Sequence, residues 1–138
     1  MPSLDIYHDT VRQALTKDGW VITHDPLHLR WGRKDMYVDL GAKRLLMATR
    51  AEEKIAVEVK SFVSASEMEA FRDAIGQYAI YRAVMRRTYP DYILYLAVTD
   101  VVFNSLFEEP IGQLMIEDEN LKLIVFDAKQ EVILQWKN

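Results

Sequence analysis

The stretch Ile55-Ala56-Val57-Glu58-Val59-Lys60 decides the fold and marks the candidate site. Its β-branched and apolar residues predict a strand buried in a sheet. Glu58 and Lys60 close this otherwise apolar run. Because side chains alternate along a strand, these two residues project from the same face of the sheet. We therefore expect a polar group at the end of a buried strand.

A second short strand is predicted from Met36 to Leu40, where the residues alternate, and it contains Asp39. Asp35 lies four residues earlier on the same predicted face and is an alternative. If the two strands are neighbours, Asp39 and Glu58 would hold Mg²⁺, which prefers oxygen ligands. Lys60 would orient the attacking water or stabilise charge on a phosphate. On spacing alone, an ordinary ion pair at a strand end is the more common meaning of such a triplet.

A long helix is predicted from Glu67 to Thr88, with Ser66 as its N-cap and Glu69 at the capping-box spacing. Gln77 and Tyr81 are four residues apart on this helix, so they share one of its faces. Their polar ends would reach a carboxylate or a phosphate. The alternative is that Tyr81 packs in the core and Gln77 faces solvent.

The remaining pattern predicts a single α/β domain over residues 1–138, with a mixed central β-sheet flanked by helices. The other predicted elements are a helix over 5–18, a strand over 20–24, a loop to Gly32, a polar turn over 51–54, a buried strand over 92–98, a short helix over 101–107, and strands over 121–126 and 131–136. His8, on the first helix, either enters a metal site or lies on the solvated face.

Composition bounds the class of protein. The chain has no cysteine, which excludes disulfides and zinc–thiolate sites and fits a reducing cytoplasm. No apolar run approaches the roughly 20 residues of a membrane helix, so we expect no membrane association. The net charge of −4 argues against a general nucleic-acid coat protein. The basic residues between Arg30 and Arg44 are either a DNA-backbone contact or a solvated face.

Several motifs spread over nearly the whole chain resemble the XisH family. They are Asp5-Ile6-Tyr7-His8-Asp9, Asp18-Gly19-Trp20, Thr23-His24-Asp25-Pro26, Asp39-Leu40-Gly41-Ala42, the strand ending at Glu58-Val59-Lys60-Ser61-Phe62, Gly76-Gln77-Tyr78, Phe107-Glu108-Glu109-Pro110 and Val132-Ile133-Leu134-Gln135-Trp136. The resemblance implies a controlling factor for excision of the fdxN element by a site-specific recombinase during cyanobacterial heterocyst differentiation. It also implies a companion protein, XisI.

The same resemblance implies a restriction-endonuclease-like, PD-(D/E)XK core. Asp39 would match its first acidic position, and Glu58 and Lys60 its second motif. Gln77 and Tyr81 would match the Gln-x-x-x-Tyr helix motif of RecB-like branches. His8 or Asp5 would stand where relatives carry a first-helix acid.

These matches imply a DNA endonuclease that uses Mg²⁺ or Mn²⁺, with a homodimer expected by analogy. The alternative is a non-catalytic regulatory module that binds the recombinase or XisI.

Overall fold

The computed structural model describes residues 4–63 and 66–138, and it is built from helices on both faces of a sheet. The helices are α1 (His8–Lys17), α2 (Glu67–Thr88), α3 (Asp100–Val102), which continues into a π turn (Phe103–Phe107), and α4 (Pro110–Asp118). The strands are β1 (Val21–His24), β2 (Leu27–Trp31), β3 (Lys34–Val38), β4 (Leu40–Leu46), β5 (Ala51–Val59), β6 (Tyr92–Thr99), β7 (Leu123–Asp127) and β8 (Val132–Lys137).

The main sheet has six strands in the order β1-β4-β5-β6-β7-β8. Strands β5, β6 and β7 are parallel, whereas β1 with β4, β4 with β5, and β7 with β8 pair antiparallel. The expected α/β domain with a mixed sheet between helices is therefore confirmed. Strands β2 and β3 form a separate two-stranded hairpin, which packs against α2.

Strand β5 lies in the middle of the sheet and is buried on both faces. Ile55, Val57 and Val59 belong to the core beneath α1, whereas Ala56 belongs to the core beneath α2. Since side chains alternate along the strand, Glu58 faces α2 with Ala56. The parallel neighbour β6 buries both of its faces in the same way, which explains its continuous apolar run.

Helix α2 has the predicted bounds and the predicted cap. The Glu69 N–H donates a hydrogen bond of 3.2 Å to the Ser66 hydroxyl oxygen, as an N-cap requires. The helix ends before Pro90, which cannot continue it. Tyr78 and Tyr81 lie on its buried face. This face closes over the end of β5 where Glu58 lies.

Three sequence predictions are wrong in the region that leads to β5. The predicted loop before Gly32 contains strand β2. The predicted single strand from Met36 to Leu40 is two strands, because the chain bends at Asp39 between β3 and β4. The predicted polar turn over 51–54 is the first part of β5, and the turn lies over 47–50.

The C-terminal half differs from prediction in its helices. The predicted short helix is the short α3 followed by the π turn, and helix α4 was not predicted. The two last strands pair antiparallel, as expected from the turn between them. Among the residues that the structure describes, no helix is both long enough and apolar enough to span a bilayer.

Candidate functional site

A small cavity of about 210 Å³ lies at the carboxyl end of β5, between the hairpin and α2. Its wall contains all five side chains proposed from the sequence as catalytic: Asp39, Glu58, Lys60, Gln77 and Tyr81. Leu4, Asp5, Tyr37 and Val59 complete the wall. The fold therefore brings together residues from the β3–β4 bend, from the end of β5 and from α2.

Asp39 and the end of β5 are joined by two hydrogen bonds, each between a side-chain carboxylate and a backbone N–H. The Asp39 N–H donates to Glu58 Oε1 at 3.2 Å, and the Val59 N–H donates to Asp39 Oδ2 at 2.7 Å. This reciprocal arrangement requires the bend at Asp39, which turns that residue's N–H and carboxylate toward β5. Each carboxylate uses one oxygen in this way.

Burial shifts the protonation of the pair. Desolvation, followed by repulsion from Asp39, raises the pKa of Glu58 from 4.5 to about 8. Desolvation also raises the pKa of Asp39, against the hydrogen bond from Val59 and the charges of His8 and Lys60. The two carboxyl groups also influence each other directly, and this interaction raises the pKa of Glu58. With a pKa of about 8, the Glu58 carboxyl group is mostly protonated at neutral pH.

Lys60 places its ammonium group beside this pair. Its Nζ lies 3.6 Å from Glu58 Oε2, which confirms that the two side chains share a face. The Lys60 N–H donates to the Ala97 carbonyl oxygen at 3.1 Å, which continues the pairing with β6 past the last residue of β5. The side chain is 27% exposed, so the ammonium group reaches both the acids and the cavity.

Helix α2 contributes two polar groups that differ in their surroundings. The Gln77 side-chain oxygen is buried and has no hydrogen-bond partner within the described part of the chain. Burial, together with Glu58 and Asp39, raises the pKa of the Tyr81 hydroxyl to about 12. Tyr81 therefore stays protonated at neutral pH and acts as a hydrogen-bond donor, and Gln77 presents an unused acceptor.

His8 and Asp35, the two additional metal-ligand candidates, do not line the cavity. Asp35 is exposed on the hairpin, and its Oδ1 lies 2.7 Å from His28 Nε2. His8 is buried on α1, where its Nε2 lies 2.7 Å from Asp25 Oδ1. The other His8 ring nitrogen has no partner among the described residues, and the charge of His8 lowers the pKa of Asp39.

Asp5, the other residue considered for a first-helix acid, lines the cavity but is engaged by backbone. Its two carboxylate oxygens accept hydrogen bonds of 2.9 Å from Tyr7 N–H and from Ser61 N–H. Asp5 thus ties the segment before α1 to the segment after Lys60. Sequence reasoning missed Asp25 as the partner of His8, although the Asp-Pro pair had marked it as a turn residue.

The residues present fit a hard divalent cation with a sparse set of protein ligands. Within residues 4–63 and 66–138, no three histidine, aspartate or glutamate side chains converge closely enough to hold a metal ion. Two carboxylates and the unpartnered Gln77 oxygen remain as donors on the cavity wall. Mg²⁺ is commonly bound by one or two carboxylates and keeps several waters, so this donor set suits it.

Fold and site together define the chain as an α/β protein whose mixed sheet presents a buried acid pair and a lysine beneath a long helix. The family described as XisH protein matches residues 1–134, and the chain belongs to this family.

The chain is similar to an XisH family protein from Nostoc punctiforme PCC 73102 whose crystal structure is known. The two sequences are 40% identical, the TM-score is 0.88, and the match covers 97% of this chain and 100% of that one. The crystal structure of an fdxN element excision controlling factor protein from Anabaena variabilis is also similar. Its sequence is 39% identical, the TM-score is 0.88, and the match covers 98% of this chain and 100% of that one. Comparison with curated proteins gives no match.

Proposed function

We propose that this protein acts on DNA through a metal-dependent, nuclease-like site and assists site-specific excision of an fdxN-type element. The observation that carries the proposal is the buried Asp39–Glu58 pair with the Lys60 ammonium group 3.6 Å from Glu58. The name of the Anabaena variabilis relative supports the excision role. Asp39 directly before β4, Glu58 and Lys60 at the end of β5, and Gln77 and Tyr81 on α2 follow the residue pattern expected of a PD-(D/E)XK site, and this pattern supports the nuclease-like chemistry.

Asp39 and Glu58 would hold Mg²⁺ or Mn²⁺, which supplies a polarised phosphate and a bound water of lowered pKa. A cation held by Asp39 and Glu58 would compete with the proton of Glu58, which would pass to solvent, because either one would neutralise the acid pair. Lys60 neutralises negative charge that develops on the phosphate oxygens. The Tyr81 hydroxyl would donate a hydrogen bond into the cavity, and the buried, unpartnered Gln77 oxygen would accept one from a water or a substrate group.

Cleavage of supercoiled DNA tests this proposal. With Mg²⁺ or Mn²⁺ we expect the wild-type chain to nick the substrate, and Lys60→Ala to lower the rate by about 10² to 10³, as for loss of one charge-stabilising donor. Lys129→Ala is the matched control, since Lys129 is an exposed lysine outside the cavity. Absence of metal-dependent nicking by the wild type, or equal rates for Lys60→Ala and wild type, contradicts the proposal.

A second candidate is a non-catalytic regulatory module that binds the recombinase or XisI. It is favoured by the sparse donor set, since within the described ranges no third acidic or histidine ligand joins Asp39 and Glu58. Excision in cells separates the two candidates. If Lys60→Ala supports excision at the wild-type level and the chain co-purifies with XisI or the recombinase, the regulatory role holds and the nuclease role fails.

A further inference from the structure

The structure divides the basic run before β5 into two different groups. The run contains five cations: Arg30, Arg33, Lys34, Lys43 and Arg44. The last two lie on β4 and are paired with acids on β5, with Lys43 Nζ 3.8 Å from Glu52 and an Arg44 nitrogen 3.2 Å from Glu53. These two cations belong to the sheet surface and their charge is compensated locally.

The other three cations lie at the free end of the β2–β3 hairpin. Arg30, Arg33 and Lys34 are exposed, and no carboxylate among the described residues lies within ion-pairing distance of them. Asp35 stands directly across from Arg30 in the strand register, but its carboxylate is drawn to His28 at 2.7 Å. The hairpin tip therefore keeps its positive charge in a chain whose net charge is −4.

An exposed aromatic ring lies among these cations. Trp31 is 53% exposed, although it is a large apolar side chain. It lines a shallow groove of about 400 Å³ together with Ile80, Ala83, Val84 and Arg87 of α2. Arg87 adds a fourth cation without an acidic partner in the described part of the chain. Phosphates bind to such cations, and an exposed ring can pack against a sugar of the same backbone.

We propose that the tip of the β2–β3 hairpin, formed by Arg30, Trp31, Arg33 and Lys34, is a docking arm for the phosphate backbone of duplex DNA. The inference rests on the proposed function, because it names how the same site would receive its substrate. Unpaired cations around an exposed ring favour DNA, since an apolar protein partner would not require uncompensated charge.

The hairpin connects the arm directly to the candidate site. Strand β3 begins at Lys34, and Asp39 follows its last residue. Five residues of extended chain span about 17 Å. With about 3.4 Å per base pair, a duplex in the cavity would meet the arm about five base pairs away from the phosphate at Asp39. The arm therefore holds the duplex beside the cavity rather than in it.

Binding of a labelled duplex of about 20 base pairs, followed by fluorescence anisotropy without divalent cations and over a range of salt concentrations, tests the inference. The variant is Arg30→Gln with Arg33→Gln and Lys34→Gln. We expect its affinity to fall by roughly 10- to 100-fold near 100 mM salt. The slope of log K against log salt should become shallower by about 3, close to one for each lost phosphate contact.

The control removes the same charge elsewhere, by Arg50→Gln, Arg72→Gln and Lys129→Gln, all at exposed positions. This control should change the slope by less than one. Asp35→Asn, which removes the acid opposite Arg30, should tighten binding. Equal affinity and slope for the hairpin variant and the control, or wild-type binding that does not depend on salt, overturns the inference.

The two proposals fail separately. If duplex binding depends on the hairpin and no divalent cation supports nicking, the nuclease-like site is refuted and the docking arm stands. If the wild type nicks DNA and the hairpin variant binds and nicks as the control does, the arm is refuted and the site stands. Thermal unfolding of each variant checks that the hairpin is folded. Leu27 and Leu29 of the hairpin pack with α2 in the core, so loss of the hairpin fold should lower the melting temperature.

Discussion

Replacing Glu58 with glutamine should change how the stability of the fold depends on pH. A glutamine keeps the shape of the side chain and can accept the same hydrogen bond from the Asp39 N–H. It removes the titration of Glu58, whose pKa rises from 4.5 to about 8 on folding. The direction of the effect follows from proton linkage. The folded state binds the Glu58 proton more tightly than the unfolded state, so the contribution of Glu58 to stability is fully present below about pH 4.5 and is lost as the pH rises to about 8.

The size of the effect follows from the same interval. At about 1.4 kcal/mol for each pH unit, the interval has a ceiling of about 5 kcal/mol. Solvent that enters the cavity would lower the cost of the ionised form below this ceiling. We therefore expect Glu58→Gln to be about 2 to 3 kcal/mol more stable than wild type at pH 9, and nearly equal to it at pH 5.

Urea unfolding followed by tryptophan fluorescence, between pH 5 and pH 9, measures this difference. Glu117→Gln is the matched control, since Glu117 is exposed on α4 and should leave the profile unchanged. Addition of Mg²⁺ at pH 9 should stabilise the wild type and have less effect on Glu58→Gln, because the cation takes the place of the missing proton. The reasoning is refuted if the difference in unfolding free energy between wild type and Glu58→Gln stays constant from pH 5 to pH 9.

Substitutions at three further positions test the packing around the sheet and α2, each by the free energy of unfolding. Gly112→Ala should cost several kcal/mol, because a Cβ on Gly112 would overlap the backbone of the π turn and α4 would have to move. Tyr78→Phe should cost about 1 to 3 kcal/mol, because the hydroxyl donates to the Leu94 carbonyl oxygen at 2.9 Å and accepts from the Lys122 N–H at 3.2 Å. Ser66→Ala should cost about 1 kcal/mol through loss of the α2 N-cap, whereas Ser66→Asp should cost little.

Local signals predicted the elements that depend on local chemistry. Helix α2 has a capping residue, a periodic apolar face and a proline after its end, and its bounds follow from these three features. Strand β6 is a continuous apolar run because both of its faces are buried. Such features lie within one segment of the chain, so the sequence of that segment is sufficient to predict them.

Strand β2 of the hairpin was missed, although its partner β3 follows it directly in the chain. Strand β2 alternates, with Leu27 and Leu29 buried and His28 and Arg30 exposed. That alternation is typical of a strand, but the preceding Asp25–Pro26 pair and the following Gly32 favoured a loop. The start of β5 was predicted as a turn because its residues are polar. They are polar because this end of the β4–β5 ribbon is exposed to solvent and does not pack in the core.

Spacing and family resemblance were enough to propose which residues form the candidate site. They did not predict the hydrogen bonds and ion pairs that these residues make. Sequence placed Asp35 and Asp39 on one strand, and no local signal separates two aspartates in such a pattern. In the structure the two aspartates have different surroundings for two reasons. The chain bends at Asp39, and His28 on the neighbouring strand of the hairpin makes a hydrogen bond with Asp35. In the same way, His8 is oriented by Asp25, a contact between residues 17 positions apart.

The bend at Asp39 also couples the two proposals to each other. This residue ends the hairpin, and its N–H and carboxylate are both bonded to the end of β5. A ligand that shifts the hairpin therefore shifts the Asp39 backbone, and with it the hydrogen bond that Glu58 accepts. Because burial raises the pKa of both carboxyl groups, a small change in their separation would change these pKa values and the affinity of the proposed metal site for a cation. DNA on the arm would thus act on the acid pair through the backbone as well as by delivering a phosphate to the cavity.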